Sequence, residues 1–202
     1  MVLDSYRGRF DLLLEPISRF FLSVNPNAIS VISVVLAALT GIFYYFGSPA
    51  FLAGAFVALI FSALFDAVDG KVARMRNMAS RKGDLIDHVL DRYADIFIIL
   101  GMTFSPFGNI TIGMLAIIGV ILTSYMGTQA QALGLKRNYS GVLGRADRLV
   151  MMLVVIILQI FIRESYPLLG ISFTVTVILL LWFAIGGNIT ALKRFKDSLD
   201  QV

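Results

Sequence analysis

No cysteine occurs in the 202 residues, so disulfides and thiolate metal sites are excluded. Charge is scarce as well. Asp, Glu, Lys and Arg make up 15% of the chain, against about a quarter in an ordinary soluble domain. With 58% of its residues hydrophobic, the chain cannot cover its own surface with polar groups. The net charge of +4 raises the question of nucleic acid, but no basic stripe interleaved with aromatics is present. Instead, almost every Lys and Arg lies in a short segment between long apolar runs. The N-terminus does not read as a signal peptide, because Asp4, Arg7, Arg9, Asp11 and Glu15 interrupt it. The length suits one domain covering residues 1–202.

The apolar runs set the fold class. A helix crossing a bilayer needs roughly 17–25 apolar residues, and six segments read as such spans: 28–46, 51–65, 86–104, 110–126, 149–162 and 168–185. Asn25-Pro26 supplies a cap and a first-turn proline for the first span, and Gly47 follows it. The second is short and is expected to continue beyond Asp66 into the interface. Residues 3–22 differ: Phe10, Leu13, Leu14, Ile17 and Phe21 recur at helical spacing, with Arg7, Asp11, Glu15 and Arg19 between them. That pattern predicts an amphipathic helix on the membrane surface, bent at Pro16; a soluble helix packed on the body is the alternative. The expectation is an all-α integral membrane bundle of six transmembrane helices with an N-terminal interfacial helix.

Orientation follows from the cations. Arg7, Arg9 and Arg19 precede the first span. Lys71, Arg74, Arg76, Arg81 and Lys82 lie between the second and third, and Lys136, Arg137, Arg145 and Arg148 between the fourth and fifth. Lys193, Arg194 and Lys196 follow the sixth. The opposite loops carry only Arg163. The positive-inside rule then places both termini on the cytoplasmic side of the cell membrane, which requires an even number of spans.

The acidic residues carry the chemistry. Asp66 and Asp69 are three apart at the end of the second span; Asp87 and Asp91 are four apart at the start of the third. Either spacing puts both carboxylates on one helical face, and antiparallel neighbouring spans bring the four to one depth. One charged group at the centre of a span costs about 2.5–3.5 kcal/mol, less near the interface. Four together also repel each other. A hard divalent cation such as Mg²⁺ or Mn²⁺ relieves both costs, and four carboxylates are enough for two ions. Two-metal sites of this type serve in-line displacement at phosphorus. Gly70 leaves room for a ligand, Arg74 can bridge a diphosphate, and Asp91 can take the proton of an attacking hydroxyl. Salt bridging by the nearby cations is the plain alternative for any one Asp-x-x-Asp pair.

At these residues the chain resembles the CDP-alcohol phosphotransferase family, whose signature is D-x2-D-G-x2-A-R, a spacer of about eight, then G-x3-D-x3-D. Asp66, Asp69, Gly70, Ala73, Arg74, Gly83, Asp87 and Asp91 fill every position. The resemblance implies a dinuclear site from Asp66, Asp69, Asp87 and Asp91, with Asp91 also the catalytic base. It implies that Gly70, Arg74 and Ser80 contact the CDP diphosphate of a CDP-linked lipid. Pro26-Asn27-Ala28-Ile29-Ser30 resembles the family's P-N-x-x-[ST] segment, so Asn27 and Ser30 are expected to help hold the nucleotide. Members are typically homodimers.

The acceptor rests on slighter marks. Arg145 and Arg148 share a helical face beyond Lys136 and Arg137, as an acceptor phosphate would require, or as ordinary anchors would also do. The opening Arg7-Gly-Arg and the Arg-Ala-Asp-Arg-Leu stretch resemble the inositol-phosphate branch, which implies 1D-myo-inositol 3-phosphate as acceptor. Glycerol 3-phosphate is the main rival, followed by serine or free inositol. His88 and Asp95 are read as supporting residues, and Thr128, Gln129 and Gln131 as helix-joining. From another class, a divalent-cation transporter would want carboxylates at several depths, whereas here they gather near one boundary.

Overall fold

The computed structural model describes residues 7–78, 80–135, 140–141, 143–168 and 170–201, with side chains from residue 14 onward. Across them run α1 (Arg7–Phe20), α2 (Pro26–Phe46), α3 (Pro49–Met75), α4 (Arg81–Phe104), α5 (Ile110–Ala132), α6 (Arg145–Phe161), β1 (Tyr166–Leu168), β2 (Ile171–Phe173) and α7 (Val175–Leu199). Most helices begin on a side chain that accepts a hydrogen bond from the first turn. Asn25 accepts from the Asn27 amide at 3.0 Å, Ser80 from Gly83 at 3.1 Å, Asn109 from Ile112 at 3.1 Å and Thr174 from Val177 at 3.1 Å. Proline stands in the first turn of both α2 and α3. α6 starts a turn earlier than expected because the Gly144 amide donates to Asp147 at 3.2 Å.

α2, α3, α5 and α7 are long and apolar enough to cross a membrane, with mean hydropathies of 2.1, 2.2, 2.0 and 2.0. α3 continues past Phe65 to Met75, so Asp66 and Asp69 lie inside a continuous helix. The expectation for the last span is corrected. Residues from Leu168 do not begin a helix but fold into an antiparallel hairpin, with Tyr166 opposite Phe173 and Leu168 opposite Ile171. Pro167 cannot donate within a helix and Gly170 takes φ 76°, so the chain turns back before Thr174 caps α7.

Helix packing relies on small residues. A Cβ on Gly41 of α2 would meet the Phe97 carbonyl of α4, and one on Gly101 would meet the Gly41 backbone. Gly119 of α5 touches Gly187 of α7 in the same way. Close approach maximises dispersion where no water can drive association. Polar groups stitch the interior. Ser33 donates to the Ser62 carbonyl at 2.8 Å and Ser62 to the Ser33 carbonyl at 2.9 Å, joining α2 to α3. Tyr44, Thr176 and Gln159, all fully buried, link α2, α7 and α6 through contacts of 2.6 and 2.7 Å. At the hairpin end, Arg163 donates to the Gly47 carbonyl at 3.1 Å and lies over the Phe107 ring, while Thr174 donates to the Phe107 carbonyl. α1 packs on α3 at the opposite end, with the Phe21 ring edge-on to Phe65.

Gly41→Val is therefore expected to lower the thermal unfolding midpoint in detergent, since overpacking costs about 1–3 kcal/mol. Gly54→Ala, which meets only the movable Phe43 ring at 3.1 Å, should shift it less. Equal midpoints for the two variants would contradict the backbone-contact account.

Candidate active site

One end of the bundle gathers the N-termini of α2, α4 and α6 around the last turns of α3. Between α2, α3 and α4 lies a cavity of about 260 Å³ lined by Asn25, Pro26, Asn27, Ser30, Asp69, Gly70, Ala73, Arg74, Met78, Ser80, Gly83, Asp84 and Asp87. Every residue expected to hold the CDP-lipid except Asp66 lines it. Helix N-termini carry partial positive charge and orphan amides, and two of them open onto this space. Ser80 serves two purposes, capping α4 and lining the cavity. A Cβ at position 70 would come into contact with Arg74 Nη1 at 3.4 Å, so this wall of the cavity places glycine beside the Arg74 guanidinium.

The acidic residues form a strip leading away from the cavity. Asp66, Asp69 and Asp87 each offer a carboxylate oxygen within 4.8 Å of the others, and Asp87, His88 and Asp91 form an overlapping group with the same spread. Asp69 is 4% exposed, and its Oδ2 is buried without a hydrogen-bond partner. An unmade bond of this kind, among like charges, leaves a place for a cation. The donor set is all-oxygen apart from His88, as a hard divalent ion requires. His88 lies between Asp84, at 3.4 Å, and Asp87, at 3.9 Å.

The α6 arginines meet this strip. Arg145 Nη1 contacts Asp66 Oδ2 at 2.7 Å and Asp91 Oδ1 at 2.5 Å, while Arg92 approaches Asp91 Oδ2 at 3.5 Å. One turn deeper, Arg148 Nη2 contacts Asp95 Oδ2 at 2.6 Å, both side chains being 3% exposed. Arg145 and Arg148, grouped by sequence around an acceptor phosphate, are thus held by carboxylates. Lys136 and Arg137 lie outside the described residues. By its place in the sequence Arg194 serves only as an orienting cation. It is buried, donating from Nε to the Ser140 carbonyl at 2.8 Å and from Nη1 to the Thr123 carbonyl at 2.6 Å. No sequence pattern marked it. The arginine–aspartate ladder had a signal: Arg145 and Arg148 at spacing three match Asp91 and Asp95 at spacing four on a facing helix.

The model of the CDP-alcohol phosphatidyltransferase family matches residues 23–186. A protein of unknown role from Aquifex aeolicus is 33% identical over 74% of this chain and 78% of its own length. The archaetidylinositol phosphate synthase of Methanothermobacter thermautotrophicus is 30% identical over 75% of each chain. Among solved structures, Mycobacterium tuberculosis phosphatidylinositol phosphate synthase with CDP-DAG bound superposes with a TM-score of 0.74 at 22% identity, covering 92% of both chains. The same protein in complex with manganese and citrate gives 0.75 at 21% identity, covering 92% of this chain and 88% of the other. These superpositions share the fold of this chain.

Removing one member of a buried ion pair costs about 3–5 kcal/mol, whereas replacing both with apolar residues is often close to neutral. Arg148→Met and Asp95→Leu singly should each lower the unfolding midpoint markedly, and the double variant should recover most of the loss. Strictly additive losses in this cycle would mean that the two side chains are not energetically coupled.

Proposed function

The chain belongs to the CDP-alcohol phosphatidyltransferase family, and we propose that this membrane transferase of phospholipid biosynthesis moves a lipid phosphate from CDP-archaeol or CDP-diacylglycerol to 1D-myo-inositol 3-phosphate, releasing CMP. The observation that carries the proposal is the convergence of Asp66, Asp69 and Asp87 within 4.8 Å beside a cavity lined by Asn27, Ser30, Gly70, Arg74 and Ser80.

Asp66, Asp69, Asp87 and Asp91 would hold two Mg²⁺ or Mn²⁺ ions. Such ions, when bound, neutralise phosphate charge and polarise its oxygens. The chain's own groups do the rest. Asn27 and Ser30 hold the nucleotide at the start of α2, and Arg74 grips the diphosphate against the opening that Gly70 leaves. The cavity includes Asp69 and Asp87 in its wall but neither Asp91 nor Arg145. The acceptor therefore approaches from the α6 side. Asp91 takes the proton of its hydroxyl, the oxygen forms a bond to the lipid-side phosphorus, and the bond to the CMP oxygen breaks. Catalysis is positioning and charge stabilisation. Arg145, with Lys136 and Arg137, supplies the cations around the acceptor phosphate, while Arg148, expected from the sequence to join them, stays paired with Asp95.

In this reading α4 and α6 also cross the membrane, giving six spans in one domain. The second half of α4, from Ala94, is apolar apart from the buried Asp95 and Thr103, and the charges of α4 cluster toward its N-terminal end. Both termini and the site face the cytoplasm, α1 lies at the interface, and the protein works as a homodimer.

The test is CMP release from purified protein in detergent, with CDP-lipid, Mg²⁺ or Mn²⁺, and each of inositol phosphate, glycerol phosphate, inositol and serine. Release is expected with inositol phosphate, to be lost on chelation. Asp91→Asn should lower it by about 10²–10⁴-fold, the usual contribution of a general base. Release with glycerol phosphate alone would replace the acceptor and keep the reaction.

A further inference from the structure

Arg145 is ion-paired with two residues of the proposed metal site. Its Nη1 touches both Asp66 Oδ2 and Asp91 Oδ1, drawn from α3 and α4 respectively. Asp69 and Asp87 are placed differently: Asp69 Oδ2 is buried without a hydrogen-bond partner, and the Asp87 side chain is 44% exposed beside the cavity. Arg145 thus makes its ion pairs with one half of the cluster, Asp66 and Asp91. The two α6 arginines also differ. Arg148 is sealed against Asp95 at 3% exposure, which pins α6 to α4, whereas Arg145 keeps 26% of its side chain accessible. A change of partner at Arg145 therefore needs only rotation of its side chain, with the helix fixed one turn away.

Resting on the metal-site reading above, we infer that Arg145 is an exchangeable internal counter-ion: it competes with a divalent cation for Asp66 and Asp91, and a phosphate that captures its guanidinium releases those carboxylates to the cation. The guanidinium fork suits phosphate as well as it suits carboxylate. A divalent ion and the fork cannot share the same two oxygens, since each brings positive charge to the same place. Phosphate and metal therefore assist each other through one side chain. By thermodynamic linkage, the factor by which phosphate tightens metal binding equals the factor by which metal tightens phosphate binding. The site then loads fully only when an anionic acceptor is present, which guards the carboxylates from standing unpaired in its absence.

The test is direct binding of Mn²⁺ to the purified full-length protein in detergent, followed by electron paramagnetic resonance without CDP-lipid, with and without inorganic phosphate. Free Mn²⁺ is corrected for its weak association with phosphate. In the wild-type protein, phosphate is expected to tighten Mn²⁺ binding by about fivefold or more, the lower end of ordinary coupling between sites. Arg145→Gln should bind Mn²⁺ more tightly than wild type and respond to phosphate by less than twofold (a threshold of roughly one measurement error, against the fivefold coupling). Arg145→Lys, which keeps a competing charge, should stay nearer wild type in the absence of phosphate. Mn²⁺ affinity unchanged by phosphate in the wild type would overturn the inference while leaving the metal site standing. Absence of Mn²⁺ binding from folded wild type and variants alike would overturn the metal reading itself, and the inference with it.

Discussion

Carboxylates in a poorly hydrated helix bundle must be matched by positive charge, and much of this molecule's arrangement follows from that requirement. Along α4, Asp87, Asp91 and Asp95 recur every four residues, progressively deeper in the bundle. Their cost rises in the same direction, because an isolated charge is dearest where water is furthest. The deepest, Asp95, is matched permanently by Arg148 at 2.6 Å. The next, Asp91, shares Arg145 with Asp66. The shallowest, Asp87, is left partly to solvent and to the cavity. Charge compensation thus grades from buried to partly exposed along a single helix, and the proposed site sits at the more exposed end.

That grading explains why α4 and α6 look unlike the other long helices. Both contribute a polar end to the site and an apolar stretch to the bundle, so neither has the uninterrupted apolar length of α2, α3, α5 and α7. α2 and α3 flank the acidic strip, and the Gly41–Gly101 contact brings α2 against α4 closely enough to hold it. The far end of the bundle is built differently. Arg163 and Thr174 tie loops and hairpin together by donating to the Gly47 and Phe107 carbonyls, and among the described residues there is no comparable concentration of carboxylates.

Much of this is legible in the sequence. Asp66, Asp69, Asp87 and Asp91 declared themselves by spacing, since three and four residues are the helical face repeat, and the apolar runs set the helices around them. The caps Asn25 and Ser80 and the first-turn Pro26 are local devices, and local chemistry is enough to read them. The helix expected from Leu168 begins only at Val175, because a short run of Leu, Ile and Phe satisfies either period, and Pro167 and Gly170 turn it into a hairpin.

The amino-acid order by itself determined the apolar helices, the end of the bundle at which charge collects, and the identity of the acidic signature, because each depends on neighbours within a few positions. Only the tertiary structure decided which cation meets which carboxylate. Arg145 lies 79 positions from Asp66 and Arg148 lies 53 from Asp95, and such pairings depend on how helices cross. The burial of Arg194 among carbonyls of distant segments has the same origin. Periodicity along a chain reveals which face of a helix is charged. It carries no record of the helix that will face it.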